Sequence, residues 1–113
     1  MSDTDTICSL NDRFRKGDTT VPGQILITRG LADLLEERKI DMTELAVQVR
    51  DFDQFTPEND PHKAHDFGKF EFLGETCFWK IDVFDPSYEL AALDPCNTNL
   101  SARVLTVMLA SEY

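Results

Sequence analysis

Residues 67–84, FGKFEFLGETCFWKIDVF, decide the fold class. Apolar and polar residues alternate on both sides of Gly74, the period of a half-buried strand. Gly74-Glu75 reads as a two-residue type II′ turn, with glycine first. Counting outward from that turn pairs Leu73 with Thr76, Phe72 with Cys77, Phe70 with Trp79 and Phe67 with Asp82. One face then carries Gly68, Phe70, Phe72, Cys77, Trp79, Ile81 and Val83, and is apolar throughout. Gly68 leaves room there for a helix to approach. The other face mixes Phe67, Lys69, Glu71, Phe78, Lys80, Asp82 and Phe84, so it reads either as solvated or as a binding face. The prediction is a long β-hairpin over about 67–73 and 76–84.

Upstream, Ile7, Leu10 and Phe14 recur at helical spacing, which predicts a helix from about Asp3 to Lys16, stopped at Gly17. Ile25-Leu26-Ile27-Thr28 follows a Pro-Gly turn signal and predicts a short buried strand. Leu31, Leu34 and Leu35 predict a short helix up to Glu37. Asp41-Met42-Thr43-Glu44 reads as a capping box opening a helix to about Phe52 or Phe55. Residues 56–66 are polar, hold two prolines and read as a loop. Leu100, Val104, Val107, Met108 and Leu109 predict a last, central helix from about Asn97 to Ser111. The fold class expected is α+β: a short strand and the hairpin packed against three or four helices.

The chain has 113 residues, and domains usually hold roughly 100–200, so a single domain spanning 1–113 is expected. Asp and Glu number 21 against 11 Lys and Arg, for a net charge of −10. Binding along a phosphate backbone or on anionic lipid needs basic surface, so neither is expected. No apolar run approaches the roughly 20 residues of a membrane span. The acidic start, Met1 to Asp5, does not read as a secretory signal. Cys8, Cys77 and Cys96 are odd in number and lack CxxC spacing, which fits reduced thiols in the cytoplasm.

Chemistry-bearing residues gather in Asn59-Asp60-Pro61-His62-Lys63-Ala64-His65-Asp66. His62 and His65 could share a metal with Asp60, but two histidines are half of a tetrahedral site. Asp66, Asp82 or Cys77 would have to complete it. His65 can also be read as a general base oriented by Asp66 or Asp82. The plainer reading makes Asp60 and Asp66 turn caps and His65 a tie to the loop backbone. Asp66-Phe67-Gly68 matches a kinase metal triplet, but the chain is too short for a kinase. The glycines form no GxGxxG or P-loop spacing, and no cofactor is expected.

The blocks LNDRFRKG, ITRG, FDQFTPENDPHKAHDFGKFE, CFWKIDVFDPS and RVLTVMLASEY resemble a family of small bacterial proteins known only as a domain of unknown function. The resemblance runs from about Asn11 to Tyr113. It implies a single-domain cytosolic protein from genomes rich in plasmids and phages, and it implies no activity, cofactor or catalytic residue. The family's loop reads closer to DPHGEHDFG. Lys63-Ala64 stands here in place of Gly-Glu, so a mechanism needing that carboxylate does not carry over.

Two functions are therefore expected as alternatives. The first is a non-enzymatic interaction or regulatory module whose partner is another protein, a basic one by charge, such as an inhibitor in mobile-element biology. The second is a small metal-dependent hydrolase or nucleic-acid-processing enzyme using the His62/His65 loop.

Overall fold

The computed structural model describes residues 3–113; Met1 and Ser2 of the acidic start lie outside the described residues. The elements run α1 (Asp3–Arg15), β1 (Gly23–Ile27), α2 (Arg29–Arg38), α3 (Met42–Arg50), β2 (Phe67–Phe72), β3 (Glu75–Phe84) and β4 (Ala102–Leu109), then a 3₁₀ turn at Ala110–Glu112. The strands form one mixed sheet in the order β1-β4-β3-β2. β1 is parallel to β4, and the other two pairs are antiparallel. The chain is α+β.

The sheet's apolar face is built in rows across the strands. Ile27, Val107, Trp79 and Gly68 are neighbours in register and make one such row. Leu10 and Phe14 of α1, Leu31 and Leu35 of α2, and Leu45 and Val49 of α3 join the same core. Trp79 is fully buried, with Phe52 edge-on at 5.5 Å between ring centroids. A side chain at position 68 would overlap the indole Nε1, so Gly68 makes room for Trp79 across the ladder rather than for a helix. The opposite face carries a cluster of Phe67, Phe78 and Tyr113, with centroids 5.1–6.1 Å apart.

Four expectations are corrected. The segment read as a last helix, about Asn97 to Ser111, is β4 with its flanking turns. Placed between two neighbours, β4 is buried over most of its length on both faces, so it lacks the alternation that marks a half-buried strand. The strand read as buried, β1, lies at the sheet edge and is largely exposed. The hairpin turn is Leu73-Gly74 rather than Gly74-Glu75, and Phe70 pairs with Cys77 rather than with Trp79. Leu73 and Gly74 have φ of 53° and 80°, the two left-handed positions of a type I′ turn, which matches strand twist better than the unprimed forms. The slip is by two positions, an even number, so the same residues stay on the apolar face. Finally, Asp41 caps α3 by accepting from the Thr43 amide and hydroxyl, and α3 ends at Arg50.

Candidate functional site

The histidine loop is shaped by its own short polar side chains. Asn59 Oδ1 accepts from the Thr56 amide at 2.9 Å, and the Thr56 hydroxyl accepts from the Asn59 amide at 3.3 Å. Asp60 is buried and its Oδ1 accepts from the His65 amide at 3.1 Å. Lys63 and His65 both have positive φ, at 57° and 53°, which folds the loop back on itself.

That fold delivers His65 to α1. Asn11 donates to the Ala64 carbonyl at 3.0 Å and fixes the approach. His65 Nδ1 lies 2.9 Å from Asp12 Oδ2 and 3.0 Å from Oδ1. A nitrogen that close to a carboxylate carries the proton and donates it. His65 Nε2 stands 3.6 Å from Asp60 Oδ2. The imidazole stacks on Phe55, with ring planes 2° apart and centroids at 3.7 Å. Both ring nitrogens thus face carboxylates and one ring face is covered.

Asp12 is the hub. Arg15, one turn along α1, pairs with it at 3.0 Å. The same guanidinium donates to the carbonyls of Val49, Arg50 and Phe52, so it closes the C-terminal end of α3. It also lies 5.1 Å from the Trp79 ring centre and 5.5 Å from that of Phe55. Cys8, one turn before Asp12, points its Sγ at Asp12 Oδ2 from 3.9 Å. Burial first, and then the charges of Asp12 and Asp60, push the Cys8 thiol up to about 11. At neutral pH it is a thiol rather than a free nucleophilic thiolate. Cys8, Phe55, Thr56, Pro57, Asp60 and His65 line an open cleft of about 330 Å³.

Of the residues singled out in the sequence, Asp60 and His65 come together. His62 is exposed. Asp66 is exposed, yet desolvation by its neighbours raises its carboxyl, the nearby Asp60 and Asp82 add to this, and the backbone and His62 oppose it. Asp82 pairs with Lys80 at 2.9 Å, and Phe67 faces Lys80 in the ladder, not Asp82. The carboxylates that hold His65 are Asp12 and Asp60. Cys77 is buried in the sheet core. Sequence reasoning missed Cys8 and Asp12 as site residues. The available signal was their spacing of four on α1, with Arg15 three further on, which stacks all three side chains along one helix face.

None of the described helices is long and apolar enough to cross a membrane. No curated protein and no solved structure matches the chain. A family model described as "Protein of unknown function (DUF3768)" matches residues 27–112, which takes in the histidine loop, α2, α3 and the strands β2, β3 and β4, and of β1 only Ile27. The chain belongs to that family.

Proposed function

We propose that the protein is an interaction module that takes an extended, basic segment of another protein onto the free edge of β1. The observation that carries this reading is the contrast between the two sheet edges. β2, at one edge, holds Lys69 and Glu71, the charges that usually guard an edge strand. β1, at the other, reads GQILI and holds no charge, and Ile25 is 58% and Leu26 46% exposed. The Pro22 carbonyl and the Thr28 amide bond β4, so by alternation the amides and carbonyls of Ile25 and Ile27 point outward. Beside them runs a largely apolar groove of about 140 Å³ between β1 and α3, lined by Ile25, Ile27, Met42 and Leu45 together with Arg15 and Arg50, so a basic occupant would place its apolar side chains here and its charges outside the groove. A strand added to such an edge gains backbone hydrogen bonds, and a groove beside it selects a side chain.

Charge chooses the occupant. Two copies of a chain with net charge −10 repel each other, whereas a basic segment is drawn in. Inhibition of a basic partner is the regulatory form of this reading, and its support is charge. The three cysteines are free, in keeping with the cytoplasm, where we place the protein. The alternative of a metal-dependent hydrolase or nucleic-acid-processing enzyme has one observation behind it, the cluster around His65.

The test is selection of peptides from a displayed random library on the wild-type chain, repeated on Ile25→Pro. Proline at an outward-facing position removes an edge amide and spares the β4 ladder. Enrichment of basic, β-branched peptides that lose binding to Ile25→Pro is the expected result. Absence of enrichment, or equal binding to both proteins, overturns the reading.

A further inference from the structure

We propose that Cys8, Asp12 and His65 form a binding site for a divalent zinc ion, with its fourth coordination position open to the cleft. This goes beyond the β1 reading and rests on different residues. The Cys8 sulfur, an Asp12 carboxylate oxygen and a His65 ring nitrogen all lie within 4.8 Å of one another.

The distances suit a small tetrahedral ion. Zinc bonds run to about 2.3 Å for sulfur and about 2.0 Å for nitrogen and carboxylate oxygen, so tetrahedral ligand atoms stand roughly 3.3–3.5 Å apart. The Cys8–Asp12 pair is now at 3.9 Å and the His65–Asp12 pair at 2.9 Å. The first must close and the second open by a few tenths of an ångström, and the Cys8–His65 pair, no more than 4.8 Å apart, must close by at most roughly 1.3 Å, all of which side-chain rotation supplies. One soft sulfur, one imidazole and one carboxylate select zinc over calcium or magnesium, which take oxygen.

The surroundings are those of a metal-bound histidine. Metal-bound histidines direct their second ring nitrogen at a carboxylate or carbonyl. His65 Nε2 faces Asp60 Oδ2, and Asp60 is itself buried and fixed on the His65 amide. Phe55 fixes the ring plane. Arg15 holds the other Asp12 oxygen, Oδ1, leaving Oδ2 toward Cys8. On binding, the thiol proton of Cys8 leaves to solvent. The metal takes the place of the proton on His65 Nδ1; that proton passes through solvent to Nε2, whose N–H then points to Asp60. Cys8 and Asp12 come from a helix and His65 from a distant loop, so the ion would lock that loop to α1.

The experiment uses the full chain without an affinity tag, stripped with chelator and titrated with Zn²⁺ by calorimetry and with Co²⁺ by absorption. One equivalent is expected to bind, with a thiolate-to-cobalt charge-transfer band and the strong visible bands of four-coordinate cobalt. Cys8→Ser is expected to abolish the charge-transfer band, and Cys96→Ser to leave it unchanged. Asp60→Asn is expected to weaken Zn²⁺ binding by about tenfold, as for other residues that orient a ligand. Circular dichroism of each variant checks that it is folded. Absence of binding by the folded wild-type chain overturns the site, and so does a charge-transfer band that survives in Cys8→Ser. Neither result touches the β1 reading, whose peptide selection is run on metal-free protein.

Discussion

Gly68 and Trp79 are opposed across the β2–β3 ladder, and the indole occupies the space a side chain at 68 would fill. A Cβ at 68 would also come within 2.9 Å of the Phe52 ring. Both neighbours are buried and neither can swing to solvent. Gly68→Ala is therefore expected to cost about 1–3 kcal/mol or more, the range for overpacking a core, measured by urea unfolding. A loss below ~0.5 kcal/mol would place the ring elsewhere. At His65 the ring nitrogens meet the carboxylates of Asp12 and Asp60 rather than the loop backbone. In metal-free protein, His65→Ala removes one partner from Asp12, which keeps Arg15, and one from Asp60, which keeps the amide of residue 65, and it uncovers Phe55. The expected loss is about 1–3 kcal/mol, the range for losing a hydrogen bond to a charged group; a change within ~0.5 kcal/mol would make His65 a surface residue. The loop's share in this site was legible because its histidines and carboxylates are adjacent in sequence. Asp12 was not, because it lies 53 residues from His65 and looks like any helical aspartate until the chain is folded.

Three helices and the hairpin announced themselves through local chemistry: a cap at Asp41, apolar residues at helical spacing, and alternation on both sides of Gly74. β4 did not, for a physical reason. A central strand is apolar on both faces, and Leu100, Val104, Val107 and Met108 happen to fall at helical spacing. The contrary signal was the run of branched residues Val104, Thr106 and Val107. The end of the chain also supplies α2 with a cap that no local pattern reveals. The Thr28 side chain does not cap that helix itself. Instead Glu112 accepts from the Thr28 hydroxyl at 2.6 Å and from the Gly30 amide at 2.9 Å, at the positive end of α2. The Thr28 hydroxyl and then these backbone amides hold the Glu112 carboxyl below its usual 4.5. A carboxyl lowered in the folded state stabilises fully above its unfolded pKa and loses that contribution as pH falls through the folded value. The stability of wild type minus that of Glu112→Gln is therefore expected to be constant above about pH 5.5 and to shrink below about 4.5. Urea unfolding across that range measures it, and a difference that grows on acidification would contradict the cap.

At the scale of the molecule, charge works against compactness. A net charge of −10 on 113 residues repels itself, and salt at about 500 mM shortens the reach of that repulsion to a few ångströms. The melting temperature is expected to rise by a few degrees between ~50 and ~500 mM sodium chloride, read by circular dichroism. A fall would mean that the Asp12–Arg15 and Lys80–Asp82 pairs outweigh the repulsion. The topology bears on a different question, the order of events in time. β4 is last of the strands in sequence and central in the sheet, with Thr28 and Val107 hydrogen-bonded although 79 residues apart. While the chain is being made, β1 waits without a partner and the hairpin keeps one edge of β3 open until residues 102–109 leave the ribosome. Closure of the sheet therefore waits for its last strand. A ribosome stalled before Ala102 holds a chain with two strands in search of the same missing neighbour, and such a chain is a substrate for chaperones and proteases rather than a partly working protein.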